Sequence, residues 1–208
     1  MKTVVCFGDS NTWGYMPSGE GRYPFKNRWT SVLQEKLGNE FFVIPEGLNG
    51  RTTVFEDPVE GDKCGLTHLV TILESHKPID LIVIMLGTND LKSRFGLNAY
   101  EIAQGAERLV KLVKKSDAGV GGNAPEIILV SPPPILKSIF LCFDEQSVKK
   151  SHDLSGYYAE VAKINNVYFL DAGDIVKSST VDGIHWEKEE HEKFGEAVAR
   201  KIKEIMGK

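Results

Sequence analysis

The sequence predicts an α/β protein, a three-layer α/β/α sandwich built on a five-stranded parallel sheet. Three observations carry that expectation. Five short apolar runs rich in β-branched residues recur along the chain. These runs are continuous rather than alternating, as strands buried on both faces are. Segments with the apolar spacing of amphipathic helices separate them. Strands that alternate with helices through right-handed crossovers place helices on both faces of one sheet.

The first strand is expected at about residues 3–7, and the others at 41–44, 81–85, 127–130 and 167–170. With five strands, the flavodoxin-like order 2-1-3-4-5 follows. Between the first two strands, Trp29, Val32, Leu33 and Leu37 share a helical face that stops at Gly38, a residue suited to leaving a helix. Leu66, Leu69, Val70 and Leu73 form a second stripe that ends near Pro78. Ile102, Ala106, Leu109, Val110 and Val113 form a third. Tyr157, Tyr158, Val161 and Ala162 mark a fourth. Phe194, Val198, Ile202 and Ile205 mark a last helix, whose opening Glu187-Lys188-Glu189-Glu190 run reads as a charged first turn.

Two segments stand outside this alternation. Residues 57–65 are polar and turn-rich. Residues 131–145 begin with Pro132-Pro133-Pro134, which stops the fourth strand, and continue through apolar Ile139-Phe140-Leu141. An apolar loop at a strand's C-terminal end fits a substrate lid, an oligomer contact or core packing.

No repeat, linker or composition shift divides residues 1–208, so one domain is expected. At 41% hydrophobic and 26% charged, the composition is that of an ordinary globular protein. A net charge of −4 without a Lys/Arg block argues against nucleic acid as a partner and gives no reason to expect a membrane surface. No apolar run approaches the roughly 18 residues that span a bilayer, and none reads as a targeting peptide. Cys6, Cys64 and Cys142 are odd in number and widely spaced, which fits buried reduced thiols in a cytoplasmic protein better than disulfides or a metal pair. No metal or cofactor is expected.

Four stretches follow predicted strands or precede the last helix, and a parallel sheet gathers them at its carboxyl edge, where such folds build sites. They are Gly8-Asp9-Ser10, the run Glu46-Gly47-Leu48-Asn49-Gly50-Arg51-Thr52-Thr53, Gly87-Thr88-Asn89-Asp90, and Asp182-Gly183-Ile184-His185-Trp186. Each alone has a bland reading. Asp9 and Ser10 can make a polar turn, Asn89 and Asp90 a helix cap, Gly50 a tight bend, and His185 a surface histidine.

Together the stretches resemble, in order, the four blocks of the SGNH (GDSL-type) hydrolase superfamily. Within it the chain is most similar to the bacterial arylesterase/acyltransferase branch, through Glu46 to Thr53, Ile84 to Asp90 and Val130-Ser131-Pro132-Pro133-Pro134. The resemblance spans the whole chain and departs from the block pattern at Asn11, where leucine is usual. It implies a serine esterase acting on short-chain carboxylic esters through an acyl-enzyme, with a small-molecule ester as partner and self-association into a homo-oligomer. It also implies oxyanion donors from the Ser10 and Gly50 backbone N–H groups and the Asn89 amide.

The remaining roles follow from what acyl transfer needs. A serine hydroxyl needs a base during attack, and His185 is the candidate; Asp182 would fix its tautomer. Trp13, Tyr15, Ile184 and Trp186 flank the blocks and could wall a substrate pocket. Asp9 and Asp90 are expected to orient loops, and His68, His76, His152 and His191 to lie at the surface. Two alternatives stay open: a carbohydrate O-deacetylase, and a non-catalytic flavodoxin-like module with Gly8 to Gly14 as a phosphate cradle. The second lacks both GxGxxG and the P-loop pattern.

Overall fold

The computed structural model describes residues 1–207. Its five strands are β1 (Lys2–Gly8), β2 (Phe41–Gly47), β3 (Leu81–Met85), β4 (Glu126–Ser131) and β5 (Tyr168–Asp171). They pair in parallel in the order β2-β1-β3-β4-β5, as the alternation of strands and helices predicts. A short helix α1 (Ser10–Trp13) follows β1. The longer helices are α2 (Trp29–Leu37), α3 (Gly65–His76), α4 (Ala99–Lys114), α5 (Glu145–Asn165) and α6 (Lys188–Met206).

The period-2 geometry of a strand divides each central strand between two cores. Val5 and Phe7 of β1, Ile82 and Ile84 of β3, and Ile127 and Leu129 of β4 face α3, α4 and α5. Val4 and Cys6, Leu81 and Val83, and Ile128 and Val130 face α2 and α6. That double burial is why the central runs read as continuous. The edge strands differ, since each has a neighbour on one side only: Phe42 and Tyr168 are exposed.

Local signals explain where the helices start and stop. Asn98 with Glu101, and Asp144 with Ser147, form capping boxes that satisfy the first N–H groups of α4 and α5. Gly38, at φ 74°, ends α2. Two stripe residues are corrected: Val70 and Tyr157 point outward, and Ile72 takes the inner place on α3. Each stripe spans only about two turns, and the packing neighbours decide which edge of a stripe is covered. Among the described residues no helix is long and apolar enough to cross a membrane. Cys6 and Cys64 are buried thiols, whereas Cys142 is only half-buried.

Candidate active site

The parallel register brings Gly8 of β1 level with Gly47 of β2 and Met85 of β3, so the loops that leave these strands meet at one edge. Leu48 N–H donates to the Gly8 carbonyl at 3.1 Å and sets the second loop against the first. Asp9 caps α1, its Oδ1 accepting the Asn11 N–H at 3.0 Å. Ser10 opens the helix, so its own N–H has no acceptor within the helix. A Cβ at Gly47 would lie 2.2 Å from the Trp13 nitrogen; the glycine is what lets α1 settle on β2.

The loop before α6 brings Asp182 and His185 to the same edge. Asp182 Oδ1 accepts the backbone N–H groups of Ile184 and His185, each at 2.9 Å. Its Oδ2 stands 2.6 Å from His185 Nδ1, and His185 Nε2 stands 2.9 Å from Ser10 Oγ. All three side chains are buried or nearly so. Burial alone would raise the Asp182 carboxyl. The hydrogen bonds from the His185 ring and from the two backbone N–H groups outweigh it and hold the group below the usual carboxylate range. An ionised Asp182 favours a proton on Nδ1 and leaves Nε2 to accept one from Ser10.

Asn89, in a 3₁₀ turn after β3, gives one N–H of its amide to the Arg51 carbonyl at 3.1 Å, which leaves the other for the cavity. Gly50 sits at φ 80°, and its N–H has no acceptor among the described residues. The second and third loops are latched where Asp90 accepts the Thr53 N–H at 3.0 Å and its hydroxyl at 2.5 Å. Burial pushes the carboxyls of Asp9 and Asp90 up to about 6, against the hydrogen bonds that both accept.

A cavity of about 200 Å³ opens between these groups. Ser10, Gly50, Asn89, Ile184 and His185 line it, as does Tyr15, whose ring lies 4.3 Å from that of His185. Two of the expected wall residues do not contribute. Trp186 is fully buried between Phe194 and His191 in the core under α6. Trp13 stands outside the lining, with the Arg22 guanidinium 4.6 Å over its ring. His191 is a further correction: it is fully buried, its Nδ1 accepts the Trp29 N–H, and burial pushes its pKa down to about 3.

Sequence reasoning missed one wall of this cavity. Glu60 and Lys92 line it, Lys92 Nζ lying 2.5 Å from Glu60 and 3.3 Å from Asp57, while Arg94 binds both carboxylates. The polar 57–65 segment was the only hint of it. Phe140, Cys142 and Phe143 from the 131–145 loop also line the cavity, so that loop contributes to its wall. It is tied to the site where Asp182 O accepts the Ser138 hydroxyl and the Ile139 N–H. Ile139 and Leu141 stay exposed. Among the described residues no group of three or more His, Cys, Asp or Glu is placed to hold a metal ion.

A model of the GDSL-like lipase/acylhydrolase family matches residues 6–191, which includes every block that meets at this edge. The chain belongs to that family. This GDSL-like acylhydrolase is similar to solved structures over nearly its whole length. A carbohydrate acetylesterase from Sinorhizobium meliloti is 40% identical, with a TM-score of 0.93 over 99% of this chain and 100% of that one. The native aryl esterase of M. smegmatis is 38% identical, with a TM-score of 0.93 over 98% of this chain and 99% of that one. A curated relative, an acetylxylan esterase of Xylanibacter ruminicola, is 26% identical over 218 residues. The match takes in 96% of the GDSL-like chain but spans only 43% of the relative's length.

Proposed function

We propose that this acylhydrolase is a serine carboxylic ester hydrolase acting on short acyl esters. The observation that carries the proposal is the hydrogen-bonded chain from Ser10 Oγ through His185 to Asp182, opening on a small cavity. Ser10 Oγ bonds to the ester carbonyl carbon as its proton passes to His185 Nε2. The carbonyl oxygen becomes an oxyanion facing the Ser10 and Gly50 N–H groups and the second Asn89 N–H. When the intermediate collapses, the ester C–O bond breaks and His185 protonates the leaving alcohol. Water then repeats the sequence on the acyl-enzyme, giving up a proton to His185 and releasing the carboxylic acid and free Ser10. An alcohol in place of that water makes the same step an acyl transfer.

A cavity of about 200 Å³ is smaller than the pockets that hold drug-sized ligands, which favours an acetyl or similarly short acyl group. A fluorophosphonate is expected to label Ser10 in the folded protein, and Ser10→Ala to abolish p-nitrophenyl acetate hydrolysis. Absence of the label, or undiminished hydrolysis in Ser10→Ala, sinks the proposal.

A second reading, a carbohydrate O-deacetylase, has its own support in the hydrogen-bonding wall of Asn49, Glu60 and Lys92, which can meet the hydroxyls of a sugar. Comparing acetate release from acetylated sugars and from aryl acetates decides between the two. The self-association expected from the resemblance has exposed Ile139 and Leu141 as candidate contacts; light scattering that finds a monomer retires it.

A further inference from the structure

Arg51 has no part in the proton relay, yet it touches three of the loops that build the site. Its side chain is almost fully buried, with the guanidinium 4.3 Å over the Phe7 ring. Nη1 donates to the Gly8 carbonyl at 2.9 Å, two residues before Ser10, and also to the Glu46 carbonyl at the mouth of the Gly50 loop. The Arg51 backbone carbonyl accepts the Asn89 amide at 3.1 Å, and its backbone N–H donates to Leu48 at 3.1 Å. One residue therefore connects the peptide before the proposed nucleophile, the loop that carries Gly50, and the side chain of Asn89.

Arg51 forms no ion pair with a carboxylate at contact distance among the described residues. The Glu46 carboxylate is spent on His76, at 2.7 Å. Burial lowers the guanidinium to about 10, partly offset at longer range by Glu46 and Asp9, so it remains a cation at neutral pH. Burying a cation without an adjacent carboxylate is costly for stability. The fold tolerates that cost behind the loops that carry the proposed oxyanion donors. An apolar side chain in that place has no donor with which to hold the Gly8 and Glu46 carbonyls.

We infer that Arg51 is the positioning residue of the oxyanion cradle, fixing the Ser10 N–H, the Gly50 N–H and the Asn89 amide in convergence by holding the Gly8 and Glu46 carbonyls and the backbone that orients Asn89. The inference rests on the Ser10 reading above. Oxyanion donors act through geometry set in advance, and removing a single donor costs about 10²–10³ in kcat. Loosening the cradle without removing a donor is expected to cost about 10–10². The loss belongs to the tetrahedral intermediate and not to the bound ester, so it falls on kcat.

The test compares Arg51→Met, which keeps the stem and removes the charge and donors, with Arg51→Lys, which keeps the charge. Both are measured on p-nitrophenyl acetate and on a trifluoromethyl ketone, whose carbonyl carbon takes the Ser10 oxygen while His185 takes the proton and the ketone oxygen becomes an oxyanion. Arg51→Met is expected to lose kcat by about 10–10² with KM within about threefold. Affinity for the ketone should fall in parallel, the acid limb of kcat/KM should stay where it is, and Arg51→Lys should recover part of the loss. Where Arg51→Met does not fold, Arg51→Lys against the wild type carries the same comparison at smaller amplitude. A wild-type kcat in Arg51→Met overturns the inference. So does a loss of kcat with unchanged ketone affinity, or a displaced acid limb, which would place the effect on His185. If Ser10→Ala keeps full hydrolysis, the Ser10 reading itself has failed and takes this inference with it.

Discussion

Asp182 commits both carboxylate oxygens to its own loop: one to two backbone N–H groups, the other to the His185 ring. Asp182→Asn keeps the volume but would turn an N–H toward Nδ1, favouring the tautomer whose Nε2 is already protonated and cannot relieve Ser10. By analogy with the serine-protease triad, kcat is expected to fall by about 10⁴ with the fold intact, as read by steady-state rates beside circular dichroism. If His185 is the base, kcat/KM falls on acidification, because an imidazolium cannot take the serine proton; a flat profile contradicts that role. At Gly50, a Cβ would meet the Glu60 carboxylate at 2.4 Å, on a backbone at φ 80° that L side chains resist. Gly50→Ala is expected to lower kcat by about 10–10² with little change in KM, by shifting one oxyanion donor.

Among the elements, the pairing of α2 with α6 shows what periodicity can and cannot reveal. Phe194, Val198 and Ile202 were legible as the buried face of α6, because a 3.6-residue period marks a face without reference to any partner. Gly195 was not legible. It lies where α6 meets α2, and a Cβ there would stand 2.7 Å from the Trp29 carbonyl and 2.8 Å from Val32 Cβ. In an isolated helix, Gly→Ala is stabilising by roughly 1 kcal/mol. Here overpacking wins, and Gly195→Ala is expected to destabilise by about 1–3 kcal/mol in urea titrations, with kcat of the folded protein unchanged. The same dependence on a partner element explains Val70 and Tyr157: the stripe was real, but the covering neighbour sits to one side of it.

Over the whole molecule, the buried titratable groups pull stability in opposite directions with pH. His191 is held down near 3 by burial, so between pH 6.5 and 3 the unfolded chain binds a proton that the folded one refuses. Stability is lost on acidification through that window, at up to about 1.4 kcal/mol per pH unit. Asp9 and Asp90, raised to about 6 from an ordinary 3.8, act the other way: the folded chain takes up protons first, and the burial cost of their charges is relieved as pH falls from about 6 toward 3.8. In His191→Gln, whose side chain can still accept from the Trp29 N–H, the first contribution disappears. The variant is expected to lose less stability than the wild type between pH 6.5 and 4, measured by urea midpoints; parallel curves would contradict the neutral buried imidazole.

The sequence by itself determined the order of the elements, the parallel sheet and the loops that meet at its carboxyl edge. Burial on both faces writes continuous apolar runs, and right-handed crossovers leave little freedom in how such runs assemble. That brought Ser10, Gly50, Asn89, Asp182 and His185 to one edge without any side-chain contact being known. Only the tertiary structure decided which neighbours face the cavity. His185 turns to Ser10 while the adjacent Trp186 turns into the core under α6, and Tyr15 takes the wall place for which Trp186 was a candidate. Arg51 lies within a singled-out run but, like Glu60 and Lys92, has no role legible in the sequence, since their work depends on carbonyls and carboxylates up to 43 residues away. Periodicity records whether a position is covered, and the fold alone records by what.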